Sequence, residues 1–189
     1  MKNSRTLFAA IALAASVQVS AHAGQPLTLF GTPLRGATRT ELRAALQKAG
    51  LIQERVDDGY FCDKYGVNGQ IKGAKGLTVC YSEGDNVFAA ATYSFPAFMD
   101  TGLVKRVVDM VKTKYGSPSS FQGMYDLGDV TARWDQPQGM EVEVTRGWPD
   151  TTTYLTLEDR ANWARMNTQI KRDQAQRIRQ QAAHDGRAF

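Results

Sequence analysis

Several short runs of this chain alternate apolar and polar residues with a period of two, and that alternation is its most restrictive feature. Leu77, Val79 and Tyr81 oppose Thr78, Cys80 and Ser82; Val130, Ala132 and Trp134 oppose Thr131, Arg133 and Asp135. Met140, Val142 and Val144 oppose Glu141, Glu143 and Thr145, and Leu155 and Leu157 oppose Tyr154 and Thr156. Successive side chains of a strand point to opposite faces, so such segments build an antiparallel sheet with one packed face and one wet face. Six strands are expected, near 60–65, 77–82, 87–95, 129–135, 140–146 and 152–157. Turn-forming clusters separate several of them, among them Glu83-Gly84-Asp85-Asn86, Pro137-Gln138-Gly139 and Gly147-Trp148-Pro149-Asp150.

Two amphipathic helices precede these strand groups. Thr38-Arg39-Thr40-Glu41 matches a capping box, Leu42, Ala45, Leu46 and Ala49 then form one apolar stripe, and Gly50 stops it. The second helix is expected after Asp100 as N-cap, with Val104, Val107, Val108, Val111 and Tyr115 on one stripe and Gly116-Ser117-Pro118 as the stop. Each half reads as a helix followed by three strands, over about 27–95 and 96–157. The fold class is therefore α+β: a sheet of about six antiparallel strands with both helices on one face. Phe95-Pro96-Ala97-Phe98 reads as a loop tucked under the second helix. Residues 158–189 form a C-terminal helix and tail, with Trp163, Met166 and Ile170 packing on the domain. From Arg160 onward there are seven Lys or Arg against two Asp, and the apolar stripe thins to Ile178. A solvated, fraying helix is expected there.

The N-terminus has the parts of a secretory signal: Lys2 and Arg5, an apolar run from Leu7 to Val17, then Ala21-His22-Ala23. The run is shorter than the roughly 20 residues that span a bilayer, and no other stretch approaches that length. A mature chain beginning at Gly24 has 166 residues, enough for one domain, residues 24–157 plus the tail. Loss of Lys2 and Arg5 lowers the formal charge from +4 to +2, which does not suit a nucleic-acid binder. Periplasm or medium is the expected destination. There Cys62 and Cys80 are expected to form a disulfide across the hairpin that joins their strands, worth roughly 3 kcal/mol.

Catalytic chemistry finds little to use. His22 leaves with the signal, and His184 lies in the tail, so no base on a rigid element serves a serine or cysteine nucleophile. Zinc-ligand clusters, G-x-G-x-x-G and Walker patterns do not occur, so no catalytic residue, metal or cofactor is assigned. Asp126 and Asp129 fall far short of a calcium loop. Asp57, Asp58, Asp126, Asp129, Asp135, Glu141 and Glu143 lie in turns or on the wet face, where capping and solvation account for them.

Tandem helix-then-strands units over roughly 27–157, carried by Thr38–Gly50 and Asp100–Gly116, resemble the β-lactamase-inhibitor-protein fold. Single units are similar to outer-membrane assembly lipoproteins of the BamE/SmpA type. The chain lacks their lipobox cysteine and has one candidate disulfide. The resemblance implies a binding role for the sheet face. The expected function is thus an exported, non-enzymatic module that binds another envelope or secreted protein through Arg133, Glu141, Glu143, Tyr154 and the turn residue Trp148. The alternatives are an envelope polysaccharide hydrolase using paired carboxylates, or an attachment or stress factor acting through Arg165, Lys171, Arg172, Arg177 and Arg179. N-terminal sequencing of the exported protein is expected to begin at Gly24; a sequence beginning at Met1 overturns the leader.

Overall fold

Both amphipathic stripes form helices with their apolar sides buried. The computed structural model describes residues 26–55, 61–82, 84–98, 100–147 and 149–187. The signal segment, Asp57, Asp58 and Trp148 lie outside the described residues. Helix α1 (Arg39–Lys48) opens with the expected capping box: the Glu41 amide donates to the Thr38 hydroxyl at 3.3 Å, and the Thr38 amide donates to the Glu41 carboxylate at 2.8 Å. Leu42 and Leu46 are fully buried. Helix α2 (Gly102–Tyr115) buries Val104, Val107, Val108 and Val111. Its N-cap position is Thr101, which makes no side-chain cap bond; the neighbouring Asp100 carboxylate accepts from Arg106 at 2.5 Å and is held below its usual pKa range by that bond and by the Gly102 and Leu103 amides. At the other end Gly116, at φ +78°, turns the chain, and its carbonyl accepts from the Trp134 indole at 2.9 Å. That bond closes an orphan helix carbonyl and pins α2 to the sheet.

A short hairpin, β1 (Thr28–Leu29) with β2 (Thr32–Pro33), precedes α1. The main sheet has eight strands, two more than the alternation predicts. They are β3 (Ile52–Arg55), β4 (Cys62–Gly66), β5 (Gly76–Tyr81) and β6 (Phe88–Phe95), then β7 (Ser120–Met124), β8 (Asp129–Gln136), β9 (Met140–Arg146) and β10 (Thr153–Asp159). The added strands, β3 and β7, open the two halves and stand at the two edges. Every residue of β7 is exposed, and so are three of the four in β3, so neither carries an alternating pattern to read. Each half is therefore one helix followed by four strands.

Strand order is β3-β4-β5-β6-β10-β9-β8-β7, all pairs antiparallel. Two four-stranded meanders meet last strand to last strand, from Thr153↔Phe95 to Glu158↔Ala90. This arrangement has an approximate two-fold axis normal to the sheet. Such an axis keeps each half's faces on the same side, so α1 and α2 share one face and one continuous core. Phe95 and Ala97 join the packed interior, but Phe98 does not: it is 82% exposed, so the loop is only half tucked.

One buried charge cluster fastens α1 to the sheet. The Asp63 carboxylate on β4 has no solvent exposure and receives two forks of hydrogen bonds. Arg39 donates at 2.6 and 3.2 Å and Arg43 at 2.8 and 3.0 Å, while the Arg39 guanidinium lies 5.0 Å from the Tyr81 ring centroid. Burial by itself raises the Asp63 pKa, but the bonds and charges of Arg43 and Arg39 outweigh it and hold the carboxyl below its ordinary 3.8.

The second face of the sheet is partly covered. Helix α3 (Arg160–Asp185) starts at its N-cap Asp159, which accepts from the amides of Ala161 and Asn162. Asn162 then donates to the Phe88 carbonyl at 2.8 Å. Met166, Trp163 and Ile170 pack on Cys80, Ala89, Cys62 and Phe61. Beneath them Cys62 and Cys80, directly paired in register, form the expected disulfide with Cα atoms 4.0 Å apart. From residue 174 through 187 every described residue of the tail is exposed, yet the helix runs unbroken to Asp185.

Replacing Asp63 leaves two guanidiniums facing each other without their counter-charge. Asp63→Asn is expected to lower unfolding free energy by about 3–5 kcal/mol in denaturant titration. Because its folded pKa lies below the unfolded value, Asp63 stabilises fully above about pH 3.8 and the contribution fades as pH falls through the folded value. The difference between wild type and variant should shrink at that acid end.

Candidate functional site

Cross-strand register arranges the outward residues of the second face in three rows. Antiparallel pairing sets neighbours about 5 Å apart across strands, and the two-residue repeat sets rows about 7 Å apart. The first row, Cys62–Cys80–Ala90–Glu158–Glu141–Asp135, lies on the side where α3 packs. The second reads Lys64–Thr78–Thr92–Thr156–Glu143–Arg133, and the third Ile52–Gly66–Gly76–Ser94–Tyr154–Thr145–Thr131. In these two rows the threonines, Ser94 and Tyr154 are half-buried, while Lys64, Arg133 and Ile52 are exposed. Small side chains beside one another screen each other partly even where nothing covers them.

The second row has a lysine at one end, three threonines in its middle and an ion pair at the other. Thr92 and Thr156 share a hydroxyl hydrogen bond of 3.1 Å across the β6–β10 seam. Threonine is stiff at its first side-chain torsion, so this hydroxyl row is held in place before anything touches it. In the third row Gly66 and Gly76 carry no side chain and lie next to Ile52, which is 59% exposed. The ideal Cβ position on Gly66 is 3.0 Å from a Glu54 carboxylate oxygen, so Glu54 leans into that depression.

Of the expected contact residues, Arg133, Glu141, Glu143 and Tyr154 all stand on this face. Arg133 donates to Glu143 at 2.5 Å and lies 3.9 Å from Glu141. Glu141 is also bound by Arg160, which bridges to Asp135 and holds that carboxyl below its usual range by hydrogen bonding. The Tyr154 hydroxyl donates to Asp150 at 2.7 Å; that bond raises the phenol's pKa and lowers the carboxyl's. Tyr154 is thereby anchored to the turn that follows β9. Glu158 is half-buried among these groups. Burial first, then the neighbouring charges of Glu141 and Glu143, push its carboxyl above the ordinary 4.5, against the pull of Arg160 and Arg133.

Thr78, from the polar side of its alternating run, and Lys64, Thr92, Ser94, Glu158 and Ile52 also belong to this surface. Polar residues at alternate positions of β6, Thr92 and Ser94, are the signal that marks its outward side; Ile52 carries none, because its strand has no alternation. The basic residues of the tail stand apart from these rows. Arg165 bonds to Asn162 and reaches Asp85 at 3.5 Å, while Lys171, Arg172, Arg177 and Arg179 are solvent-exposed. No group of three or more His, Cys, Asp or Glu with metal-binding geometry occurs among the described residues, and no helix there is long and apolar enough to cross a membrane.

The chain matches no protein-family model and no curated protein sequence. Among solved structures it is similar to the crystal structure of a DUF4309 family protein (YjgB) from Bacillus subtilis subsp. subtilis str. 168. The identity is 16%, the match covers 73% of this chain and 89% of that one, and the TM-score is 0.43.

A carboxyl whose folded pKa is raised weakens the fold once it ionises. Glu158→Gln is therefore expected to melt higher than wild type at neutral pH. The gain should vanish as pH falls below about 4.5, where both states of the wild-type carboxyl are protonated. Thermal scans across that range measure it.

Proposed function

We propose that this protein is an exported, non-enzymatic module that binds another protein through the part of the sheet face that α3 leaves uncovered. The observation that carries this reading is the pair of rows spanning six and seven strands, lined largely by short, stiff, hydroxyl-bearing side chains. A surface of that kind loses little side-chain entropy when a partner settles on it. Thr78, Thr92, Thr156, Thr145 and Thr131 supply donors and acceptors at low height. Half-buried Tyr154 and exposed Ile52 supply apolar area, and Arg133 lies at the rim; Tyr and Arg are residue types that carry binding energy at such surfaces. Opposite charges at the rim, Lys64 at one end and the Glu141–Glu143–Arg133 group at the other, would set the partner's orientation.

The disulfide supports an oxidising compartment, where cross-links of this kind persist. The partner is accordingly sought among envelope or secreted proteins. The walls of the cavity beneath α2, and of two further clefts beside α3 and beside the β1–β2 hairpin, contain no carboxylate. The acidic residues gather instead on the sheet face, mostly in ion pairs with Arg133 and Arg160.

The test is a comparative capture from the envelope fraction. Thr145→Arg with Tyr154→Ala is expected to lose the partner that wild type retains, with melting temperature within a few degrees of wild type. A chain truncated after Ile170 is expected to retain it. Retention by the folded double variant, or loss on truncation alone, refutes the reading and in the second case moves the function to the basic helix.

A further inference from the structure

The helix side of the sheet contains a half-open cavity of about 260 Å³, walled by β6, β9, β10, α2 and the β1–β2 hairpin. Its surface is overwhelmingly apolar, with Tyr93, Val111 and Leu155 among the walls. The pocket is apolar yet open to solvent, a combination typical of small-molecule sites. Three further features converge on it.

The first is strain. Phe30 and Gly31 form the two-residue turn of the β1–β2 hairpin with φ +48° and +82°. Asn-Gly is the usual occupant of such a turn; a bulky aromatic residue there is a backbone outlier. Phe30 nevertheless occupies it, and its partly exposed side chain lines the cavity. Residues held in sparsely populated backbone regions concentrate at ligand clamps. The second feature is charge. Lys114 is the only charged residue lining the cavity among the described residues. Its ammonium lies 5.0 Å from the Tyr115 ring centroid and forms no ion pair among them. The third is a hydroxyl: Tyr115, in the same wall, buries its OH without a hydrogen-bond partner among the described residues.

We propose that this cavity binds a small anionic amphiphile. The apolar body lies against Val111, Leu155 and Tyr93 beneath the Phe30 ring, and the acidic head group meets Lys114. By volume the site suits an apolar body of roughly ten carbons, scaled from the about 150 Å³ cavity that accepts benzene. A medium-chain carboxylate has that size and charge. A two-chain phospholipid does not fit. The site opens on the helix side of the sheet, away from the hydroxyl rows, and does not depend on the protein-binding reading.

Isothermal titration of the purified protein with octanoate and with octanol tests this. Saturable binding of octanoate at one site per chain is expected. Lys114→Gln, an exposed substitution, should weaken octanoate roughly tenfold, the value of one charge-assisted hydrogen bond, and leave octanol nearly unchanged. Val111→Phe, which fills the cavity, should abolish both, with the melting curve confirming that the variant is folded. If Val111→Phe fails to fold, Phe30→Gly takes its place. It relieves the turn and removes the clamp, and should weaken both ligands while raising the melting temperature. Absence of saturable octanoate binding to wild type, or affinity for octanoate unchanged in Lys114→Gln, overturns the proposal.

Discussion

The pairing of β6 with β10 is the contact on which the rest of this structure depends. Each four-stranded meander with its single helix would leave the far edge of its last strand unpaired, and its helix would cover only part of a core. Joined through six register pairs from Thr153↔Phe95 to Glu158↔Ala90, the two edges cancel and one eight-stranded sheet results. The symmetry of the join puts both helices on one face. The other face then holds a uniform surface with the Thr92–Thr156 hydroxyl pair at its centre. The cavity under α2 depends on the same seam, since its floor combines Tyr93 from β6 with Leu155 and Leu157 from β10.

The two faces differ in how they hold charge. On the helix side a single carboxylate, Asp63, is sealed beneath α1 with two arginines, a geometry that requires every partner to be present. On the other side Asp135, Glu141, Glu143 and Glu158 share Arg133 and Arg160 near water, where ion pairs are weak and exchangeable. The first arrangement fixes the packing of α1. The second leaves a charged rim that can be rearranged when another molecule docks. Helix α3 divides these roles on the second face: its first three turns seal the disulfide, and from residue 174 onward its described residues are exposed.

Much of the sheet face was legible in the sequence because alternation is a local property. Arg133, Glu141, Glu143 and Tyr154 each sit between buried neighbours, and period two alone assigns them to the outward side. The capping box at Thr38 and the valine stripe of α2 are local in the same sense. Ile52 and the residues of β7 gave no such signal, because an edge strand exposed on both sides has no inside to mark. Phe98 shows the converse: its apolar character predicts burial, while a positive backbone φ of +44° accompanies an exposed ring.

What the chain's residue pattern determined by itself was therefore that six segments extend, that two amphipathic stretches coil, and which side of each is apolar. These follow from dihedral preferences and nearest-neighbour periodicity, which act over a few residues. Only the tertiary structure decided that β6 meets β10, that α3 folds back over the disulfide, that Asp63 finds Arg39 and Arg43, and that Phe30, Lys114 and Tyr115 border one cavity. Each of those joins residues far apart in the chain, and the energy that selects them comes from packing and desolvation that exist only once the sheet has closed.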